Sequence, residues 1–308
     1  MIDHSWPQWK PSRGLQPREW PFACIGPGRV GCALSRALAE LGFPAVAVGG
    51  GTGGSAELLA QELGAEVIKA PFTGLGNRAR LVVLTPPDRE LEHTVHSLQE
   101  GAGLGRGSCL IQTSAALPAS ILDYADRDVS SFLLSFHPLK PFPDRDRDLR
   151  QFMDILIGIE GDDQSFHLGE SLALLLGANP IRLSSDDKSM YHAAGVLALT
   201  GVMALAWSAD QIGESMDLKR EFMTKGILPG MRSAIDAIET HGLPGALTGP
   251  VSRSDIHIIT GHLEVLSQEI PELVPLYRQV VLITLRIAEQ NGLLDDETAE
   301  KLHSLLDI

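Results

Sequence analysis

The stretch FACIGPGRVG (22–31) constrains the fold of this chain more than any other. An apolar run, 21–25, meets Gly26, Gly28 and Gly31 in the spacing G-x-G-x-x-G, and a helical pattern follows through Leu41. In such a strand–turn–helix unit each glycine has its own task. Gly26 permits the tight turn, Gly28 lets backbone approach a diphosphate, and Gly31 lets helix and strand close up. The helix start at Arg29 and Val30, entered through Pro27, turns its first N–H groups toward an anion. The motif in this context predicts a dinucleotide seat. The alternative is a turn of the same shape that holds nothing, because fold alone does not carry function.

Strand and helix signals alternate after that turn. Apolar runs at 44–48, 65–70, 80–85, 108–113, 131–137, 154–160 and 178–184 read as strands, and 55–63 and 165–177 read as helices. The alternation implies an α/β fold with a doubly wound, mostly parallel sheet. Beyond Ser185 helical periods dominate, broken at HGLPGALTGP (241–250), at Pro271 and Pro275, and at Asn291–Gly292. The chain therefore divides into an arm (1–19), a Rossmann-like domain (20–185) and a helical domain (186–308). The arm is polar and proline-broken, with no apolar secretory stretch, and is either loose or packed through Trp6, Trp9 and Trp20. Ala193–Ala209 carries no charge but stops short of a full membrane span, so it reads as a buried central helix.

A net charge of −14, from 39 acidic and 25 basic residues, argues against a nucleic-acid partner yet allows a local basic pocket. Three cysteines, Cys24, Cys32 and Cys109, are too few and too scattered for a disulfide framework or zinc site, and fit a reducing cytoplasm. Cys32 falls in the first turn of the glycine-motif helix, where a dipole could lower its pKa, but a small packing residue is the preferred reading. His257 and His262 lack metal-ligand spacing, so no metal is expected. The expected partner is a small, anionic molecule rather than a membrane.

An NAD site places an acid after the second strand to hold the ribose. Here VGGGTGGS (48–55) is bare, with no acid until Glu57, so NADP is favoured over NAD. No basic residue follows until Lys69. Backbone N–H groups with Thr52 and Ser55 are therefore the candidates for a 2′-phosphate, the other reading being a loop without selectivity. Ligands of such sheets lie beyond the carboxyl ends of the strands, which puts Thr85 and Pro86, and Thr113 and Ser114, at the nicotinamide side.

Three clusters could do chemistry. SFHPLKPF (135–142) sets His137 at a strand end that Pro138 stops, with Lys140 close by. The imidazole is thus presented at a turn rather than in a ladder, as a general acid, an anion contact or a satisfied structural group. SSDDKSMYHAAG (184–195) starts a helix, capped by Ser185 or Asp186, whose Lys188 and His192 are four apart on one face. Such cationic donors could polarise a carbonyl and supply its proton; the alternative is a surface lysine beside a core-edge histidine. ALTGPVSRSDIH (246–257) places Arg253 before a helix start at Ser254 or Asp255, a ready seat for an anion unless Arg253 and Asp255 merely brace the turn.

With these motifs in order the chain resembles, almost end to end, a two-domain family with a Rossmann-like N-terminal domain and a helical C-terminal domain of unknown function 2520. The matching pieces are IGPGRVG, LTPPD, TSAAL, SFHPLKPF, SSDDKSMYHAAG and ALTGPVSRSDI. More distantly the layout is similar to 6-phosphogluconate dehydrogenase, 3-hydroxyisobutyrate dehydrogenase and pyrroline-5-carboxylate reductase. The resemblance implies a 6-phosphogluconate-dehydrogenase-like helical domain, NADP binding, oxidoreduction and a homodimer through the apolar helices. This chain departs from the family at Gln112-Thr113-Ser114-Ala115 (usually His-Thr-Ser-Gly), at Thr200, which takes the substrate-side position of an Asn, and at Ser254 of an Arg-Gly-Asp turn. The leading expectation is a hydride-transferring oxidoreductase for a small carbonyl, hydroxy acid or imine. In it Lys188, His192 and His137 are catalytic, and Thr200, Arg253, Asp255 and Lys140 hold substrate. The competing expectation is a nucleotide-binding or sensing protein without turnover, and a weaker one is a transferase or lyase.

Overall fold

The computed structural model describes residues 10–11, 14–51, 54–101, 104–123, 131–142, 149–219 and 223–306. Trp6, Trp9 and Thr52 lie outside the described residues.

The described strands form one eight-stranded sheet in the order β3-β2-β1-β4-β5-β6-β7-β8. They are β1 (Phe22–Ile25), β2 (Ala45–Gly49), β3 (Glu66–Ile68), β4 (Leu81–Leu84), β5 (Cys109–Gln112), β6 (Phe132–Pro138), β7 (Leu156–Glu160) and β8 (Asn179–Arg182). Every run read as a strand is one. β1 and β4 are buried at all four residues, as strands covered on both faces require. Successive residues point to opposite faces. Phe22, Val83, Ile111 and Leu134 join Leu34 and Leu38 of α1 (Arg29–Glu40) and Leu168 and Leu172 of α4 (Asp163–Leu175), whereas Ala23, Ile25, Val82 and Leu84 belong to the core containing Leu91, Val95 and Leu98 of α3 (Asp88–Glu100). The chain moves outward from β1 to β3 and then returns to β4 on the other side of β1. That reversal of winding is where open α/β sheets bind ligands.

One reversal interrupts the parallel series. β7 runs antiparallel to β6, and β8 runs parallel to β7. Ahead of the sheet, Trp20 is buried, and the Arg80 guanidinium stacks 3.8 Å from its ring centroid.

The molecule separates into two compact units, 1–199 and 200–308. Helix α5 (Asp187–Gly195) thus belongs with the sheet. In the second unit α8 (Ile256–Glu269), α9 (Val274–Gln290) and α10 (Asp296–Leu305) enclose Ile259, Leu263, Leu285 and Leu302. Asp295 caps α10 by accepting the Thr298 N–H at 2.7 Å. α7 (Leu228–Ala246) breaks at Gly242, φ +72°, inside the segment read as an interruption.

The uncharged stretch corrects an expectation. From α5 through a π-helical turn (Val196–Thr200) and α6 (Gly201–Ser215), the helical run Asp187–Ser215 is long and apolar enough to cross a membrane by length and composition. Only 11% of its most apolar window is buried. Leu197 is 78% exposed, and Met203 and Trp207 are exposed too. A helix apolar all round reads as interior from its sequence, but among the described residues nothing covers these side chains.

Candidate active site

The three glycines of the turn differ in the room around them. A methyl on Gly26, whose φ is +86°, would meet the Pro86 nitrogen at 2.5 Å. One on Gly31 would meet Thr85 Oγ1 at 2.2 Å. One on Gly28 would meet nothing nearer than the Gly26 oxygen at 3.9 Å, and Gly28 is exposed. Gly28 is the N-cap of α1 and offers no side chain to the helix's first amides. Open room beside uncapped N–H groups is what a diphosphate needs. Thr85 is committed elsewhere: its hydroxyl donates to the Gly26 oxygen at 2.6 Å, bracing the turn. Cys32 donates to the Pro27 oxygen at 3.3 Å, and burial pushes the neighbouring Cys24 thiol up to about 11, so these thiols pack rather than react.

The exits of β1, β2 and β3 lie side by side, because Ile25 pairs with Gly49 and Gly49 with Ile68. Gly50 and Gly51 leave β2 at φ +68° and +80°, and Gly54, φ +77°, begins α2 (Ser55–Leu63). Ser55 is buried at the first position of that helix. Here a cavity of about 350 Å³ opens, lined by Gly50, Gly51, Gly54, Glu57 and Lys69 among others.

The chemical cluster sits on one face of β6 and β7. Ser135 pairs with Glu160 and His137 with Gly158, which puts these four positions on a common face. α5 lies along it with Lys188, Tyr191 and Gly195 inward, the i, i+3, i+7 stripe of a docked helix. A methyl on Gly158 would reach the Tyr191 ring at 2.8 Å, and one on Gly195 would reach Leu139 at 2.5 Å. Lys188 is 2% exposed; its Nζ donates to the Ser114 oxygen at 3.2 Å and to Ser135 Oγ. Burial lowers the Lys188 pKa from its ordinary 10.5, outweighing the pull of the Glu160 and Asp88 carboxylates. His192, one turn on, is exposed and lies edge-on to His137, ring centroids 5.9 Å apart. The alternative of a surface lysine with a core-edge histidine is therefore inverted.

His137 lies within the β6 ladder rather than at a turn after it, because β6 runs on past the end of β5 to Pro138 along β7. Its Nδ1 is 2.9 Å from the Thr113 oxygen. A carbonyl can only accept, so Nδ1 carries the proton and Nε2 is left as an acceptor. Burial, then the Lys188 charge, lowers the His137 pKa below 6.5 and keeps the ring neutral at pH 7, despite the opposing bond to Thr113.

The loop after β5 is tied from within. Gln112, fully buried, donates to the Leu117 oxygen at 2.6 Å and accepts the Ser114 N–H. Ser114 Oγ accepts from Ala116 and Leu117 and donates to Asp88 at 2.8 Å. The Gln112 and Ser114 side chains thus shape the loop that presents the Ser114 oxygen to Lys188. Sequence reading missed Glu160. Its carboxylate accepts the Ala119 N–H and, at 3.1 Å, the Ser185 hydroxyl, joining the β5 loop to the start of α5. Its sign in the sequence was an acid closing an apolar strand. The α5 start is held by Ser184 and Asp187 rather than by Ser185 or Asp186: Ser184 Oγ accepts the Asp187 N–H at 3.2 Å and Asp187 accepts the Ser184 N–H at 3.1 Å, a reciprocal cap.

Lys140 Nζ donates to the Gln151 oxygen at 3.3 Å, away from the lysine seat. Thr200, Arg253 and Asp255 belong to the second unit, where Thr200 is exposed at the end of the π turn. Arg253 Nε donates to Asp255 Oδ2 at 2.8 Å, so the pair braces its turn. Ser254 between them takes φ +58°, a left-handed backbone costing roughly 1 kcal/mol where the resembling family has Gly.

Residues 155–284 match the family described as a domain of unknown function, DUF2520, and residues 7–138 match a Rossmann-like domain. Among curated proteins none matches. A crystal structure of the Bacteroides fragilis protein BF3122 is 23% identical with a TM-score of 0.67, covering 88% of this chain and 98% of its own. Protein TM1727 from Thermotoga maritima is 22% identical at TM-score 0.67, covering 88% and 99%. An imine reductase from Myxococcus stipitatus, in complex with NADP+, is 18% identical at TM-score 0.58, covering 93% and 99%. At these identities the likeness shows a shared fold.

Proposed function

We propose that this chain, which matches a Rossmann-like domain over 7–138 and DUF2520 over 155–284, is an NADP-dependent oxidoreductase for a small carbonyl, hydroxy-acid or imine substrate. The observation that carries the reading is the buried Lys188 amine, held on the Ser114 oxygen and Ser135 Oγ, at the edge of a sheet whose first turn is open for a diphosphate. When bound, the nicotinamide supplies or accepts the hydride. The chain's own residues handle the proton. Lys188 keeps a third N–H beyond the two it spends, and its lowered pKa suits it to give a proton to a substrate oxygen or nitrogen and take it back in reverse. His137 presents an unprotonated Nε2, and the exposed His192 beside it can meet an anionic substrate group. The Myxococcus imine reductase supports this choice of substrate class.

The test is thermal. NADPH at about 100 times its Kd stabilises a binder by about 2.7 kcal/mol, so the melting temperature should climb with NADPH concentration. A flat profile at millimolar NADPH and NADH removes the proposal. A second reading, a nucleotide sensor without turnover, draws on Arg253 being neutralised by Asp255. NADPH binding with no oxidation across a carbonyl and imine panel would favour it.

The same reading includes a homodimer through the apolar helical run, since a second copy offers the same patch and closes on itself by two-fold symmetry. Light scattering should give twice the 33.1 kDa chain mass for the wild type, and Leu197→Glu should shift it toward the monomer. A monomeric wild type contradicts this. Three buried cysteines that form no disulfide fit a cytoplasmic setting.

A further inference from the structure

We infer that Lys69 is the residue through which this chain recognises the 2′-phosphate of NADP, from the cavity at the exits of β2 and β3. The inference rests on the nucleotide reading above and adds to it a residue and a selectivity.

Three observations converge. The strand order β3-β2-β1 and the register Gly49↔Ile68 place Lys69 one residue past the sheet, level with Gly50. The glycine wall of the cavity also abuts the nucleotide turn, because a methyl on Gly51 would come within 3.2 Å of Pro27 Cδ. An adenosine whose diphosphate lies over Gly28 therefore has its ribose directed to this wall. Gly50, Gly51 and Gly54 bring no side chains of their own into this space. The first amides of α2 also lack a side-chain cap, as Gly54 has none to give.

The cavity has two charged residues in its described lining, Lys69 and Glu57. They pull in opposite directions. Glu57 stands in the first turn of α2, where the helix dipole favours a carboxylate. It suits a ribose hydroxyl and repels a phosphate. Lys69 does the reverse, and a 2′-phosphate brings close to two negative charges to it and to the uncapped amides. The balance falls to Lys69, since one carboxylate opposes an ammonium and a helix start together. Both side chains are exposed, so the preference is to shrink as salt is raised.

Fluorescence or calorimetric titration of the full chain with NADPH and NADH tests this without any substrate. The wild type should bind NADPH more tightly. Lys69→Met should weaken NADPH binding at least tenfold and leave NADH within twofold, Lys69→Arg should retain the preference, and Glu57→Gln should tighten NADPH several-fold. An unchanged NADPH-to-NADH ratio in Lys69→Met overturns the role of Lys69 while leaving the nucleotide reading standing. A wild type that binds neither nucleotide overturns both.

Discussion

Lys188→Met is expected to lower turnover by about 10²–10⁴-fold, the range supplied by a positioned proton donor, while NADPH binds with unchanged affinity. Methionine keeps the length and apolar stem of lysine in a site with no spare room. It removes the Nζ that meets the Ser114 oxygen and Ser135 Oγ. The lost turnover therefore reports proton transfer, and the retained binding shows that the nucleotide seat is separate. The stability of the two proteins should also diverge with pH. The folded amine titrates below the 10.5 of the unfolded chain, so between the two values the unfolded state holds more protons, and wild-type stability falls as pH is lowered through that window. The methionine variant lacks this slope. Chemical denaturation at several alkaline pH values measures it, and parallel curves for the two proteins would show that the buried amine is not perturbed.

Two glycines of one motif should fail in opposite ways. Gly26→Ala places a methyl 2.5 Å from the Pro86 nitrogen and 2.8 Å from the Thr85 carbonyl carbon, on a backbone at φ +86°. Neither neighbour is a flexible side chain, so the turn must move, and a loss of about 3 kcal/mol or more is expected from strain and overpacking together. Gly28→Ala adds the same methyl into open space at an ordinary φ of −75°. Stability should stay within about 0.5 kcal/mol of wild type, while NADPH affinity falls at least tenfold because the methyl occupies the approach of the diphosphate. Denaturation midpoints and nucleotide titrations on the two variants separate these outcomes. A Gly28→Ala protein that binds NADPH like the wild type would show that the diphosphate does not lie over this turn.

The sequence was most legible where one residue type has one physical use. The second helix was read as 55–63, and it forms there because Gly54 and Gly64 adopt the left-handed backbone that ends helices on either side. Eight apolar runs became eight strands: β1, β4 and β5 are buried throughout, which leaves little else for such runs to be, while the more exposed β3 and β8 close the two ends of the sheet. Reading failed where the neighbour decides. His137 looked like a turn residue because Pro138 follows, but β7 pairs along β6 as far as that proline and holds the histidine in the ladder. Lys188 and His192 were known to share a helix face, yet which one is buried depends on Ser135 and Ser114, distant in sequence. Glu160 and Lys69 carried only slight local signs, an acid closing an apolar strand and the first base after a bare glycine loop: each acquires its meaning from strands that the order of the sheet brings beside it.

The reversal at β7 has a consequence for how this site can diversify. Helix α5 advances alongside β6 from Ser135, beside Lys188, to Leu139, beside Gly195. Seven helical residues rise about 10 Å and four strand residues about 13 Å, so the two elements keep nearly the same pace. Position beneath the helix is thereby graduated in residue numbers. Substitutions in its later turns are expected to change the packing on Leu139 while the Lys188 end keeps its place.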